Sequence, residues 1–210
     1  MEALREMKDK EYDLAIVDPP YGIDILNMGG QPASSRFVNH KRGDWDKQKP
    51  DKKYFDEVMR ISKNYVIWGA NYFCEYLKPT MGWIFWYKGQ DDFTFSDGEL
   101  AATSFNVKIR YVLISRGEIS KEQRIHKTQK PVKLYEWLLH NYAKEGDKIL
   151  DTHLGSGSIA IACYNMGFSL DGFEIDKDYY EGAVKRLEIH KRQQVLFLPN
   201  EIFANNKQTL

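Results

Sequence analysis

Apolar runs bounded by Gly, Pro and Asp recur along the chain, as YDLAIVD (12–18), NYVIWG (64–69), GWIFWY (82–87), VKIRYVLISR (107–116), DKILD (147–151), GFSLDGFEID (167–176) and QVLFLP (194–199). These are seven predicted strands. Four are short, β-branched or aromatic, and apolar on both faces, the pattern of strands covered by helices on each side rather than wetted on one. Between most of them the apolar positions recur at helical spacing. PDKKYFDEVMRISKN (50–64) places Phe55, Val58, Met59 and Ser62 on one stripe. NYFCEYLK, PVKLYEWLLHNYAKEG, SGSIAIACYNMG and KDYYEGAVKRLEIHKRQ predict further helices, two of them stopped by Gly146 and Gly167. Alternation of this kind argues a mostly parallel, doubly wound α/β sheet. The runs GWIFWYKG and VKIRYVLIS lack a long crossover helix between them and are read as a strand pair with antiparallel character.

With 210 residues the chain is long enough for one domain with a full core and too short for two ordinary domains and a linker. Thirty basic against thirty acidic residues leave a formal net charge of zero, so any nucleic-acid contact must come from local patches. Two segments supply such patches. In 36–53 the basic residues Arg36, Lys41, Arg42, Lys47, Lys49, Lys52 and Lys53 outnumber Asp44, Asp46 and Asp51, and in 116–130 Arg116, Lys121, Arg124, Lys127 and Lys130 face only Glu118 and Glu122. On charge alone the alternatives are nucleic-acid contact and two solvated loops. Cys74 and Cys163 are far apart with no CxxC spacing, which excludes a disulfide framework, argues against a metal site and fits a reducing cytoplasm. The charged start MEALREMKDKEYD predicts no signal peptide, and no apolar run predicts a membrane helix.

Candidate chemistry concentrates at two strand ends. Asp18-Pro19-Pro20-Tyr21 follows the first strand. The prolines fix φ and remove two N–H donors, so the chain leaves the strand in a stiff loop whose carbonyls are free to accept. Asp18 and the Pro19 carbonyl can each accept one hydrogen of a planar exocyclic amine, while the Tyr21 ring stacks on the heterocycle. The second element, Asp151-Thr152-His153-Leu154-Gly155-Ser156-Gly157, follows KILD and opens a helix, where glycines permit close backbone approach to a ligand. Glu174 and Asp176 end the next strand, at the distance where an acidic side chain binds ribose hydroxyls. Neither a full GxGxxG nor a phosphate-cradling Walker pattern is present, which favours adenosine without a pyrophosphate.

DPPY at 18–21, TQKP at 128–131, DTHLGSG at 151–157 and FEID at 173–176 resemble the DNA amino-methyltransferase family that uses S-adenosylmethionine, in the permuted β-class order with the target motif before the cofactor motif. The resemblance spans nearly the whole chain. It implies a seven-stranded Rossmann-like methyltransferase sheet, mostly parallel with one antiparallel strand, in a single domain. Residues 1–116 would form the target-amine half, 117–199 the cofactor half and 200–210 a tail. Asp18, Pro19, Pro20 and Tyr21 would hold the flipped base. Asp18, Thr128, Lys130, Asp151, Thr152, His153, Gly155, Ser156, Gly157, Glu174, Ile175 and Asp176 would line the cofactor site, with Asn71 and Phe73 of WGANYF beside it. Thr152 and His153 depart from the family's usual Pro and aromatic, and His153 either packs on the adenosine or caps the loop.

The implied partner is DNA, met by Arg36, Lys41, Arg42, Lys47, Arg124 and Lys127. No tens-of-residues recognition insert is present, so the target is short or a second copy shares the reading in a homodimer. No metal is implied. The setting would be the cytoplasm of a bacterium or of a phage-infected host. Asp rather than Ser before PPY favours transfer to the N6 of adenine over the N4 of cytosine. The cysteines lack the neighbouring proline that attack at pyrimidine C5 needs. An RNA or protein-glutamine methyltransferase more often carries Asn before PPY with the cofactor motif first, and a silent subunit of the same fold would not need the intact Asp18 and paired glycines.

Overall fold

The computed structural model describes residues 2–23, 46–89, 96–115, 125–126 and 128–193. The predicted strand 194–199 and the basic residues Arg36, Lys41, Arg42, Arg124 and Lys127 lie outside the described residues. The elements in chain order are α1 (Glu2–Glu6), β1 (Tyr12–Val17), α2 (Lys52–Ile61), β2 (Ser62–Trp68), a 3-10 turn (Ala70–Tyr72), β3 (Trp83–Tyr87), β4 (Gly98–Thr103), β5 (Arg110–Leu113), α3 (Val132–Tyr142), β6 (Lys148–Asp151), α4 (Ser158–Met166), β7 (Ser169–Gly172) and α5 (Lys177–Arg192).

One seven-stranded sheet runs in the order β5-β3-β4-β2-β1-β6-β7. β4 pairs antiparallel with both β2 and β3, and every other pairing is parallel. Period-two alternation splits the core into two layers. Leu14 and Ile16 of β1 join Val66, Trp68, Ile84 and Trp86 beneath Leu134 and Leu138 of α3 and Ile159 of α4. Ala15 and Val17 instead face Phe55, Val58 and Ile61 of α2. β1 therefore needs apolar side chains on both faces, which is why its sequence reads as a continuous run. From β1 the chain passes to β2 on one side, whereas β6 lies on the other, so the loops leaving the ends of β1 and β6 diverge around a crevice at the switch point.

Four expectations are corrected. β3 and β5 are paired parallel rather than antiparallel, because the opposed strand is GELAAT at 98–103, inserted between β3 and β2. That strand carries Gly, Glu and three Ala or Leu residues of weak β preference, and its pairing is imposed by the strands on either side. Residues 71–78 form no α-helix; the 3-10 turn is followed only by further turns. Ser62 does not extend the α2 stripe: it is the first residue of β2, buried, with its hydroxyl donating to the Val58 carbonyl. Gly146 stops no helix, since α3 ends at Tyr142 with an extended Ala143 after it, whereas Gly167 caps α4 in the left-handed conformation as expected. Among the described residues, no helix is long and apolar enough to cross a membrane.

Candidate active site

β1 delivers Asp18 to the crevice, and the Pro-Pro stiffening carries the chain directly into Tyr21. Asp46, itself buried, holds this loop by accepting from the backbone N–H groups of Tyr21 (2.8 Å) and Gly22 (3.1 Å). The Tyr21 ring stacks on Tyr72 at 5.0 Å and meets Phe73 edge-on. Beneath it lies Gly69, at φ +66, where an added Cβ would fall 2.2 Å from the Tyr21 ring. Only glycine tolerates both that backbone and that approach.

Asp18 sits in a charged cage. Its Oδ1 accepts from the Tyr21 hydroxyl at 2.7 Å, and its Oδ2 accepts from Lys130 Nζ at 2.5 Å. Lys130, 4% exposed, also reaches Glu99 Oε2 at 3.0 Å, and the other Glu99 oxygen meets Lys88 Nζ at 2.7 Å. The Trp68 ring lies 5.4 Å from the same ammonium. Burial opposes the Lys130 charge, but the carboxylates of Asp18 and Glu99 outweigh it and raise its pKa. Glu99 is likewise penalised by burial, yet Lys130 and Lys88 hold its carboxyl down at about 2. Burial dominates at Asp18 and raises its pKa against the pull of Lys130. Desolvation of these buried charges offsets much of their mutual attraction, so the network adds little net stability.

Across the crevice the loop after β6 turns through Gly155 (φ +51) and Gly157 (φ +70) into α4. A Cβ at Gly157 would stand 2.9 Å from that of Ala183, so this glycine lets α5 close against the loop. Glu174 accepts from the N–H of Gly155 at 2.8 Å and from that of Asp176 at 3.0 Å. Asp176 caps α5, accepting from Asp178 and Tyr179. Asp151 is buried, accepts from the His153 N–H at 2.9 Å, and has its pKa pushed by burial to about 7. Thr152 bonds the Tyr54 hydroxyl at 2.6 Å, and the His153 ring is held at about 4 by burial, neutral at physiological pH.

Two cavities adjoin here. The smaller is lined by Asp18, Pro19, Pro20, Tyr21, Asp46, Glu99, Thr128 and Lys130. The larger is an open cleft lined by His153, Gly155, Ser156, Glu174, Ile175 and Asp176 among others. Asp18, Pro20, Thr128 and Lys130 line both. Ile175 is 98% exposed at the cleft's rim. Asp151, Thr152 and Gly157 belong to the same loop but do not line the cleft. Asn71 and Phe73 do not line it either: Asn71 is exposed on the 3-10 turn, and Phe73 is fully buried against Phe55. Lys47 is exposed beside Asp46, the one predicted DNA contact among the described residues.

The sequence reading missed Glu99, Lys88 and Asp46, and also Tyr135 and Tyr179, which line the larger cleft. No motif marks any of them, and only an unassigned strand with an acidic residue next to its glycine could have pointed to Glu99. Among the described residues no cluster of His, Cys, Asp and Glu is arranged to hold a metal ion.

Comparison with known proteins places the chain. The Type II methyltransferase M.HpaI of Haemophilus parainfluenzae is 25% identical over 235 residues, covering 90% of this chain and 72% of that one. M2.DpnII of Streptococcus pneumoniae is 26% identical over 241 residues, covering 88% and 85%. Among solved structures, the M1.HpyAVI–SAM complex matches with TM-score 0.57 at 19% identity over 89% of this chain and 95% of that one. The cytosine-N4-specific PvuII DNA methyltransferase matches with TM-score 0.57 at 11% identity over 96% and 86%. Both structural likenesses establish the fold. Residues 63–185 match the N6_N4_Mtase family model, described as DNA methylase, and the chain accordingly belongs to that family.

Proposed function

We propose that the protein transfers a methyl group from S-adenosylmethionine to the N6 amine of adenine in DNA. The observation that carries this reading is the shared wall of the two cavities. An amine held against Asp18 and Pro20 in the smaller one lies beside whatever occupies the larger one, so the two reactants meet without a covalent enzyme intermediate. S-adenosylmethionine, when bound, supplies an electrophilic methyl group.

The residues of the larger cleft suit an adenosine-bearing ligand. The Glu174 carboxylate is fixed by two backbone donors yet still borders the cleft, where its remaining lone pairs accept from ribose hydroxyls. Ile175 offers an apolar surface at the rim for a purine ring. Asp176 is occupied with capping α5 and adds mainly charge. On the other side, Asp18 accepts a hydrogen of the target amine, localising the nitrogen lone pair. Tyr21, braced by Tyr72, presents its ring to the base. A base reaches this pocket only by leaving the duplex, at a cost of a few kcal/mol that stacking and phosphate contacts offset. Lys47 and the basic residues outside the described set are read as the phosphate contacts. A homodimer that divides target recognition between copies accompanies the proposal, and light scattering tests it.

The test is incubation with labelled S-adenosylmethionine and unmethylated DNA, followed by digestion to nucleosides. N6-methyladenine is expected. N4-methylcytosine would transfer the assignment to cytosine, and no label in DNA would overturn the reading.

A further inference from the structure

As an acceptor for the target amine, Asp18 is already engaged: Tyr21 donates to one of its oxygens and Lys130 to the other. A carboxylate wholly neutralised by one lysine is a poor acceptor and a poor base. A competing acceptor is built into the same cavity. Glu99 Oε2 lies 3.0 Å from Lys130 Nζ and 3.3 Å from the Tyr21 hydroxyl, the same two donors that Asp18 uses. Lys88 fixes the opposite oxygen at 2.7 Å, so the Glu99 side chain is anchored from behind. The Asp18 and Glu99 side chains retain 19% and 23% exposure, and both border the smaller cavity, while Lys130 between them is sealed at 3%.

We propose that Glu99 is a positioning residue for methyl transfer: by sharing Lys130 and Tyr21 with Asp18, it leaves Asp18 enough negative charge to accept from the amine and keeps that carboxylate turned toward the cavity. The inference rests on the target-amine reading of Asp18 given above. During transfer the amine nitrogen bonds to the methyl carbon as the carbon–sulfur bond breaks with its electron pair going to sulfur, and the proton then shed by nitrogen passes to Asp18 and on to water. Glu99 favours that proton's arrival, because a second negative charge nearby makes Asp18 more basic.

Among the described residues, the other titratable groups that act on Asp18 or adjoin it are Tyr54 on α2, Tyr135 on α3, Asp151 at the end of β6 and Asp46 in the loop before α2. The tyrosines are neutral, with hydroxyl pKa values raised by burial, and Asp151 is itself raised to about 7, also by burial. Asp46 is committed to two backbone N–H groups. The balance at Asp18 is therefore set by Lys130 and Tyr21 against Glu99, with Lys88 behind it.

Glu99→Gln preserves shape and removes the charge. The Asp18 carboxyl carbon is titrated by ¹³C NMR in the free protein, and kcat is followed against pH. The Asp18 midpoint is expected to move to lower pH in the variant, because a neighbouring negative charge is gone and Lys130 belongs wholly to Asp18. The acidic limb of kcat should move the same way while its plateau falls about tenfold or more, with KM for S-adenosylmethionine within about threefold of wild type. Glu99→Asp should restore part of the rate. An unmoved midpoint, or a rate loss with an unmoved limb, would make Glu99 a purely structural partner and overturn the proposal. Should Glu99→Gln not fold, Lys88→Met serves: it leaves Glu99 to draw on Lys130 alone and must raise the Asp18 midpoint, and no movement overturns the proposal equally. Since the titration needs neither DNA nor cofactor, a wild-type protein that transfers no methyl group would sink the proposed function and not the coupling.

Discussion

Gly69→Ala is a small change aimed at the floor of the target pocket. The added methyl would stand 2.2 Å from one Tyr21 ring carbon and 2.6 Å from two others. Ordinary contact begins near 3.4 Å, so the ring must retreat by about 1.2 Å (3.4 less 2.2), which disturbs its stacking on Tyr72 and its hydrogen bond to Asp18. The backbone cannot absorb the change, because Gly69 is left-handed at φ +66 and its N–H donates to the Leu100 carbonyl at 2.9 Å. Left-handed backbone costs a non-glycine residue about 1–2 kcal/mol, and loss of the Tyr21–Asp18 hydrogen bond adds about 1–2 more. A total of about 2–4 kcal/mol corresponds to a fall in Tm of roughly 5–15 °C for a domain of this size. Misplacing a reacting group by about 1 Å costs on the order of a hundredfold in rate, so turnover should drop by that factor at saturating cofactor. Glu174 and Gly155 lie elsewhere, and cofactor affinity by calorimetry should hardly change. A variant with near wild-type turnover and a Tm within about 2 °C would show that the Tyr21 ring is not held where the reasoning needs it.

Asp18→Ala removes the amine acceptor and should lower turnover by about two orders of magnitude with a smaller effect on cofactor binding; DNA methylated at near wild-type rate would remove Asp18 from its role. Glu174→Ala should weaken S-adenosylmethionine binding by about 1–3 kcal/mol in calorimetry, and an unchanged affinity would take the ribose contact away from Glu174. Asp151 makes a pH prediction: its native pKa of about 7, raised by burial from 3.8, means the folded state holds the proton more tightly than the unfolded one. Its contribution to stability is therefore full below pH 3.8 and is lost as pH rises toward 7. Asp151→Asn keeps an acceptor for the His153 N–H and should remove that decline, so matching Tm–pH curves for the two proteins between pH 4 and 7 would contradict a neutral buried Asp151.

Much of this architecture is determined locally and was legible in the chain. β1 reads as a strand because both its faces are buried, and α2 begins where Asp51 caps the Tyr54 N–H. The stiffness of Pro19-Pro20 and the positive φ allowed at Gly155 and Gly157 are properties of those residues themselves, so the two loops that meet at the crevice could be recognised without knowing what lies opposite. Tertiary structure decided the rest. GELAAT became a strand only because β2 and β3 each offered it an antiparallel edge, and with that strand came Glu99, whose link to Lys130 joins segments far apart in sequence. The same dependence moved Phe73 from an expected place at the cofactor to the core beneath Tyr21, and it made Lys130, which still lines the larger cleft, also the cation held between two carboxylates. Backbone preferences act over a few residues and are written in the sequence one element at a time. The charge that a buried carboxylate carries depends on which distant groups fold against it, and that is settled only when the sheet has closed.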